Sequence, residues 1–559
     1  MRHTIIHLVI RVSCTSLCLS LLTAGLLFGT PYRAHAESTS AIAAVIASNR
    51  DTYLAQPNLQ AQQPTLQQVY QQRAFAPLWF TQSSATRPAL ALLTALRDAA
   101  NYGLRAEDYD GIALTTRLTK LAATDMAPDV QAQLDVAISA ATLRLLHALH
   151  YGRIDPRQAG FDIKVNREQE LNAADMLLKL AANEDVVPLI ESVEPKFVHY
   201  QLLKRALARY RLLAVDAQLT QLPAFNNRSI KPGETYAGAP ALRQLLAAEQ
   251  DLANDAVAAD SDTTLDPALV TALQAYQTRH GLPADGALGK RTFNALTTPF
   301  AKRVEQIELT LERWRWLPAP QAPMIIVNVP QYKLFAFQSA DDREANLLRM
   351  DVIVGQAFQH TQTPVFLADM KYVVFRPYWD VPLSITRREI LPNIQRKANY
   401  LEHNHFELVR GQGDNSPVVA ATPDNLAQLA SGAVRVRQLP GDDNALGEIK
   451  FMLPNSYNVY LHSTPAKRLF NESSRAFSHG CIRVSDPVAL AEYVLHNTGE
   501  TWDRARIEAA MQGDPNQRVY LNKPIPVMIM YGTVMPKESG VVQFFDDIYG
   551  HDAKLAKLL

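Results

Sequence analysis

The spacing of apolar residues changes character along the chain, and each change marks a different kind of element. From about Ser38 to Asn226, apolar positions come in runs rich in Ala and Leu, such as Ala89–Leu96 and Val136–Leu146, which is the make-up of buried helices. Gly103 and Gly152, the latter followed by Arg153-Ile154-Asp155-Pro156, are placed to stop them, because glycine accepts the left-handed cap and proline cannot continue a helix. Pro223–Gly238, rich in Pro, Gly and Asn, reads as a linker. Beyond it, Leu269–Gln277 and Thr292–Leu296 have helical spacing again, with Gly281 as a C-cap and a tight turn at Asp285-Gly286. This segment predicts a small helical module.

After Leu309–Trp316 the texture turns to β. Met324–Val329, Tyr332–Phe337, Met350–Gly355 and Tyr372–Phe375 are short runs of β-branched and aromatic residues broken by Pro, Gly, Gln and Asp. A helical piece, Arg387–Arg396, interrupts them, and Ser384 to about Gly447 reads as an inserted lid or subdomain. Strands resume at Val459–Leu461 and Ile482–Val484. A helix then runs over Pro487–His496, with Asp486 as its N-cap and proline at its first position.

Residues 1–36 stand apart: Arg2 and His3 lead an apolar stretch, Val12–Phe28, that ends at Ala34-His35-Ala36, the layout of a secretory signal peptide. The protein is expected to be exported, to the periplasm; an uncleaved leader would instead anchor it in a membrane. The 559 residues, 47% hydrophobic and 20% charged, allow about three domains at ~150 residues each. A net charge of +0 removes the electrostatic case for a nucleic-acid partner.

Composition next singles out one sulfur. Of the three cysteines, Cys14 and Cys18 lie in the leader, so Cys481 has no partner for a disulfide after cleavage, although an oxidising compartment normally pairs thiols. It sits in Ser478-His479-Gly480-Cys481-Ile482-Arg483, with His462 at the end of the preceding strand and Ser463 after it. A free thiol titrates at about 8.5 and needs a base or a positive neighbour to become a nucleophile. His462 or His479 supplies the imidazole, the Ser463 carbonyl can hold its tautomer, and the Gly480 and Cys481 amides can face an oxyanion. Two plainer alternatives stand beside this: Cys481 as a small buried apolar residue, and a zinc site built from His462, His479, Cys481 and Asp486. The reading favoured here needs no metal and no cofactor.

His462, fifteen intervening residues, then Ser478-His479-Gly480-Cys481-Ile482-Arg483-Val484 resembles the signature of the L,D-transpeptidases, the YkuD domain. Val354-Gly355 with Thr363–Phe366, Phe375–Pro382, Gly447–Asn455 and Arg475–Phe477 extend the likeness to the large YcbB-like branch, and Leu265–Leu296 resembles a peptidoglycan-binding-like module. The resemblance implies a multidomain α+β protein. Its parts are a signal peptide (1–36), a helical N-terminal scaffold (37–235), a small three-helix wall-binding module (236–303), a mostly-β catalytic domain (304–545) with an inserted helical lid (about 384–447), and a C-terminal tail (546–559). The catalytic domain is expected to be sandwich-like.

The resemblance also implies that Cys481 attacks a tetrapeptide stem of peptidoglycan, releases the terminal D-Ala and passes the acyl group to a second stem as a 3→3 cross-link. His462 maps to the base and Ser463 to its orienter, with Ser478, His479 and Gly480 around the nucleophile. Tyr378 and Trp379 are candidates for the substrate groove, and Arg483, where many relatives have Asn, for a substrate carboxylate. Carbapenems are expected inhibitors, and other wall-synthesis proteins candidate partners. Water in place of the second amine would make the same site a carboxypeptidase or hydrolase, and an idle site would leave a wall-binding scaffold.

Overall fold

The computed structural model describes residues 40–559 except 122–125, 165–169, 227–228, 254–262, 319–321, 340–341, 359–360, 412 and 514–515. The leader, with Cys14 and Cys18, lies outside the described residues. Among the described residues no helix is long and apolar enough to cross a membrane.

Contacts divide the chain into two units, the first holding residues up to 100, 105–147 and 171–193, and the second holding 101–104, 148–170 and 194–559. The helical part expected as one domain over 37–235 is therefore shared between them. In the first unit, Asp135 sits on the long helix Pro128–Tyr151. Its carboxylate accepts the Tyr70 hydroxyl at 2.5 Å and the Leu78 and Trp79 amides at 3.0 and 2.8 Å. Burial pushes its pKa up to about 6 against those bonds.

In the second unit, helices α1 (Val198–Leu213) and α2 (Phe300–Arg315) pack together, tied by Arg211 to Glu308 at 2.7 Å. Three further helices, Ala239–Ala248, Pro267–Arg279 and Lys290–Leu296, make the small module. Buried Gln277 donates to Asp285 Oδ1 and accepts the Gly286 amide, both at 2.9 Å, so the Gln and Asp-Gly of the motif shape its turn. The stretch 223–238, expected as a linker, is packed into this module where it is described: Ile230 pairs with Leu288, and the buried Tyr236 donates to the Pro223 carbonyl.

The β-rich part contains strands β1 (Met324–Asn328), β2 (Lys333–Phe337), β3 (Leu348–Gly355), β4 (Phe366–Phe375), β5 (Trp379–Asp380), β6 (Phe406–Val409), β7 (Val418–Val419), β8 (Arg435–Gln438), β9 (Ile449–Met452), β10 (Leu461–His462), β11 (Ala476–Ser478), β12 (Ile482–Val484) and β13 (Gln517–Met530). Nine of them form one sheet in the order β11-β3-β12-β10-β9-β4-β13-β1-β2, and β2 also pairs with β3. The sheet thus closes on itself instead of stacking two separate sheets. Its inner face supplies Val373, Phe451, Leu461 and Ile482 to a core shared with the helix Pro487–Leu495.

The insertion, expected to be helical, carries a second antiparallel sheet, β7-β6-β8-β5, beside its helices. It has its own core around Ile385, Ile390, Leu408, Val434 and Val436. Because Trp379 and Asp380 pair with Gln438 and Arg437, this subdomain starts at β5, before Ser384. Residues 546–559, expected as a tail, fold back onto the unit: Leu555 is buried in the main core, and Asp552 binds Arg313 at 2.5 Å and the Thr533 hydroxyl at 2.8 Å. An apolar position and a buried ion-pair partner so close to the chain end account for the docking.

Candidate active site

Register across five neighbouring strands places the reactive side chains together. Arg483 on β12 is opposite His462 on β10, His462 opposite Lys450 on β9, Lys450 opposite Val374 on β4, and Val374 opposite Arg518 on β13. Directly opposed residues share a face, and so do residues two apart along one strand. Tyr460, Met452, Tyr372 and Tyr520 therefore make a second row on that face, in line with Cys481, which precedes β12. The sequence allows this because the residues between them are the apolar ones that fill the core on the other side.

The only free cysteine among the described residues is Cys481, and it is half-buried. Gly480 before it has φ of +117°, open to glycine and strained for other residues, which turns the chain from β11 into β12. The turn is tied on three sides: Ser478 Oγ donates to the Cys481 carbonyl at 2.5 Å, Gly480 N donates to Ser478 Oγ at 3.1 Å, and Thr363 Oγ1 donates to the Gly480 carbonyl at 2.9 Å. The Gly480 amide is thus engaged with Ser478 and not turned to an oxyanion as expected; the Cys481 amide has no acceptor among the described residues. Cys481 Sγ lies 3.7 Å from the Asn458 carbonyl. Burial pushes the thiol pKa up, while the Tyr460 amide and hydroxyl, then Lys450 and Arg483, pull it back. Burial pushes the Tyr460 hydroxyl itself up, and the Trp379 side chain pulls it back.

His462 is buried, and its Nδ1 stands 2.5 Å from the Ser463 carbonyl. A carbonyl only accepts, so Nδ1 carries the proton and Nε2 keeps the lone pair. Burial, then Arg483 and Lys450, push the imidazole pKa down to about 3 against the Ser463 and Leu446 carbonyls. The ring is therefore neutral near pH 7 and free to accept a proton. Ser463 is itself held, its hydroxyl donating to Glu448 at 2.7 Å and its amide to the Ile449 carbonyl at 2.9 Å. Gly447 passes so close that a Cβ there would lie 2.6 Å from Ser463 Oγ, and its φ of +62° is a glycine conformation.

The other expected residues separate. His479 points away from this pair, its Nε2 2.7 Å from Glu389 of the insertion. Arg483 lies on the active face; its Nε is buried without a partner, and no carboxylate is within ion-pairing distance among the described residues. Trp379 reaches the sulfur through Tyr460, whereas Tyr378, on the other side of β5, stacks under the Arg437 guanidinium at 4.2 Å as a packing element of the insertion. Asp486, weighed as a zinc ligand, caps its helix by accepting the Ala489 amide at 2.9 Å. Lys450, Tyr460, Glu389 and Arg518 belong to the site without having been singled out. Lys450 and Tyr460 lie inside or beside quoted motifs, and the lysine alternating with Ile449 and Phe451 was the available signal.

Residues 322–519 match the family described as the L,D-transpeptidase catalytic domain (YkuD). Residues 240–296 match a "Putative peptidoglycan binding domain" and residues 64–207 a "Scaffold domain". A curated protein of Haemophilus influenzae, described as "Putative L,D-transpeptidase", is 32% identical over 234 residues, which are 41% of this chain and 45% of that protein. The chain thus spans less than half the length of the curated relative it matches. It carries an L,D-transpeptidase catalytic domain and a peptidoglycan-binding domain, and the cysteine, the histidine and their neighbours fall within the former.

Proposed function

We propose that this protein is an exported, periplasmic cysteine L,D-transpeptidase that joins peptidoglycan stem peptides by 3→3 cross-links. The observation that carries the reading is the strand register that puts a half-buried thiol, level with Tyr460, on one face and one step diagonally from a buried imidazole whose Nδ1 is fixed on the Ser463 carbonyl. Burial opposes charge on both groups, so the resting pair is neutral thiol and neutral imidazole. As sulfur attacks the diaminopimelate carbonyl that bonds to the terminal D-Ala of a donor stem, its proton passes to His462 Nε2. The tetrahedral oxyanion meets the Cys481 amide and the nearby cations, and the proton goes on to the departing amine of the terminal D-Ala. A thioester remains. The unpaired Arg483 beside the nucleophile is suited to a carboxylate next to the scissile bond. The peptidoglycan-binding domain supplies the affinity for the same polymer.

The test is incubation of the protein with a purified disaccharide tetrapeptide, with products resolved by mass. A cross-linked dimer with loss of D-Ala is expected, together with an intact-protein adduct at Cys481 on exposure to a carbapenem. Tripeptide without dimer would make the protein a carboxypeptidase, and neither product nor adduct would leave a wall-binding scaffold.

A further inference from the structure

We propose that Arg518, Tyr372 and Tyr520 form a second peptide subsite on the active-site face, one that holds the acceptor, an amine-bearing acidic peptide, by one of its carboxylates. This rests on the transpeptidase reading above and says where its second substrate binds.

Arg518 ends the row that begins at Arg483, four strand spacings away through His462, Lys450 and Val374. At ~4.8 Å per spacing that is roughly 19 Å, which a three-residue stem of ~10 Å covers only with the diaminopimelate and Arg518 side chains extended along the face. Its guanidinium lies 4.9 Å over the Tyr372 ring and 3.4 Å from the Tyr520 hydroxyl, and the two tyrosine rings are 5.2 Å apart. Tyr520 is 62% exposed, a large aromatic surface that the core does not use. Lys450 bridges the two ends of the row. Its ammonium lies 4.3 Å over the Tyr460 ring with no ion pair among the described residues, in the field of Asp380, Cys481, Asp414 and Arg518. Three cations, Arg483, Lys450 and Arg518, thus run from the nucleophile to the far end of the face with Asp380 and Asp414 beside them, and they can meet the carboxylates of an acidic peptide.

Position selects the acceptor over the donor. Arg483, on the nucleophile's own strand, suits a carboxylate next to the scissile bond, whereas Arg518 is too distant for that. Seen from Cys481, Arg518 lies beyond His462, so a peptide anchored there brings its amine past the imidazole. The amine nitrogen then attacks the thioester carbon: the C–N bond forms, the C–S bond breaks, and the amine proton passes to His462 Nε2 and on to the departing sulfur, restoring the thiol. In the structure one carboxylate already sits on the guanidinium. Asp414 of the insertion is 3.4 Å from Arg518 Nη2, with both side chains substantially exposed (34% and 42%), a weak pair that an incoming carboxylate can displace.

That competition gives the subsite an unusual test, because two variants move the same constant in opposite directions. The full chain is charged with a tetrapeptide donor, and a tripeptide stem ending in diaminopimelate, which has the amine but no D-Ala to lose, is added as acceptor. Arg518→Gln should raise the KM for the tripeptide by about fivefold, and Arg518→Lys should recover part of that. Asp414→Asn should lower the KM. D-Ala release in the acylation half-reaction should change less than the acceptor KM in each variant. The proposal is overturned if Arg518→Gln slows acylation as much as cross-linking, or if both charge changes leave the acceptor KM alone. Failure of the unaltered protein to form any acyl-enzyme would overturn the transpeptidase reading itself, a different and separately visible result.

Discussion

Tyr460 is the residue on which the chemistry of the sulfur turns. Its amide and hydroxyl lead the groups that offset the burial of Cys481, and its ring separates the Lys450 ammonium from the His462 imidazole, 4.3 Å from the one and 5.7 Å from the other. Tyr460→Phe keeps the ring and removes a donor to the developing thiolate. A hydrogen bond to a charged group contributes about 1.5–3 kcal/mol, so alkylation of Cys481 at fixed pH should slow by roughly tenfold or more while the melting temperature barely moves. Titrating alkylation against pH checks this, and a thiol pKa unchanged from the unaltered protein would remove the hydroxyl from the account. His462→Ala should slow acylation by ~100-fold or more if the imidazole is the base. Stopped-flow acylation by a carbapenem reads that rate, and an unaltered rate would remove His462 as the base.

At the scale of elements, one turn and one insertion govern the site. Gly480 holds φ of +117°, yet a Cβ there would meet nothing nearer than the Gln362 carbonyl at 3.6 Å. Gly480→Ala should therefore destabilise through backbone strain alone, by about 1–3 kcal/mol, and chemical denaturation will measure it; a loss well above that range would point to a clash the structure does not contain. The insertion touches the site at both ends of the face, through Glu389 on His479 and Asp414 on Arg518. Both pairs are partly exposed, so Glu389→Ala should cost ~1 kcal/mol or less and yet speed deuterium exchange over 383–396. These elements also mark what the sequence made legible. Ser478 ends one short strand, Gly480 and Cys481 lie in the turn after it and His462 ends another short strand, so local spacing was enough to bring them forward. Lys450 and Arg518 were not legible because their place depends on register between strands separated by the whole insertion, and a slip of one residue would turn either to the opposite face. The second sheet of the insertion escaped for a related reason, since its strands are two to four residues long and set among helical turns.

For the whole molecule, titratable groups buried on the wrong side of neutrality divide by unit and predict opposite responses to acid. In the second unit, burial holds His462 at about 3, His551 at about 4 and His280 well below its usual range. Unfolded, each binds a proton near pH 6.5, so the unfolded state gains protons first and stability falls as pH drops below that value. For His462 alone the loss from pH 7 to 5 is up to about 2 kcal/mol; His280 and His551 act in the same direction, and the raised pKa values of Asp251 and Asp552 offset part of it. In the first unit, Asp51 and Asp135 are both raised to about 6, chiefly by burial. There the folded state takes up protons first, so the same acidification stabilises it, by about 1 kcal/mol for each group at pH 5. Hydrogen exchange at the two pH values, corrected for the intrinsic rate, should show protection falling in strands β9–β13 and rising in the helix Pro128–Tyr151 around Asp135. Equal loss in both units would mean that the buried carboxylates of the first unit are already ionised in the fold, and that Arg144 and Arg117 outweigh burial at Asp51, contrary to the order of effects at that site.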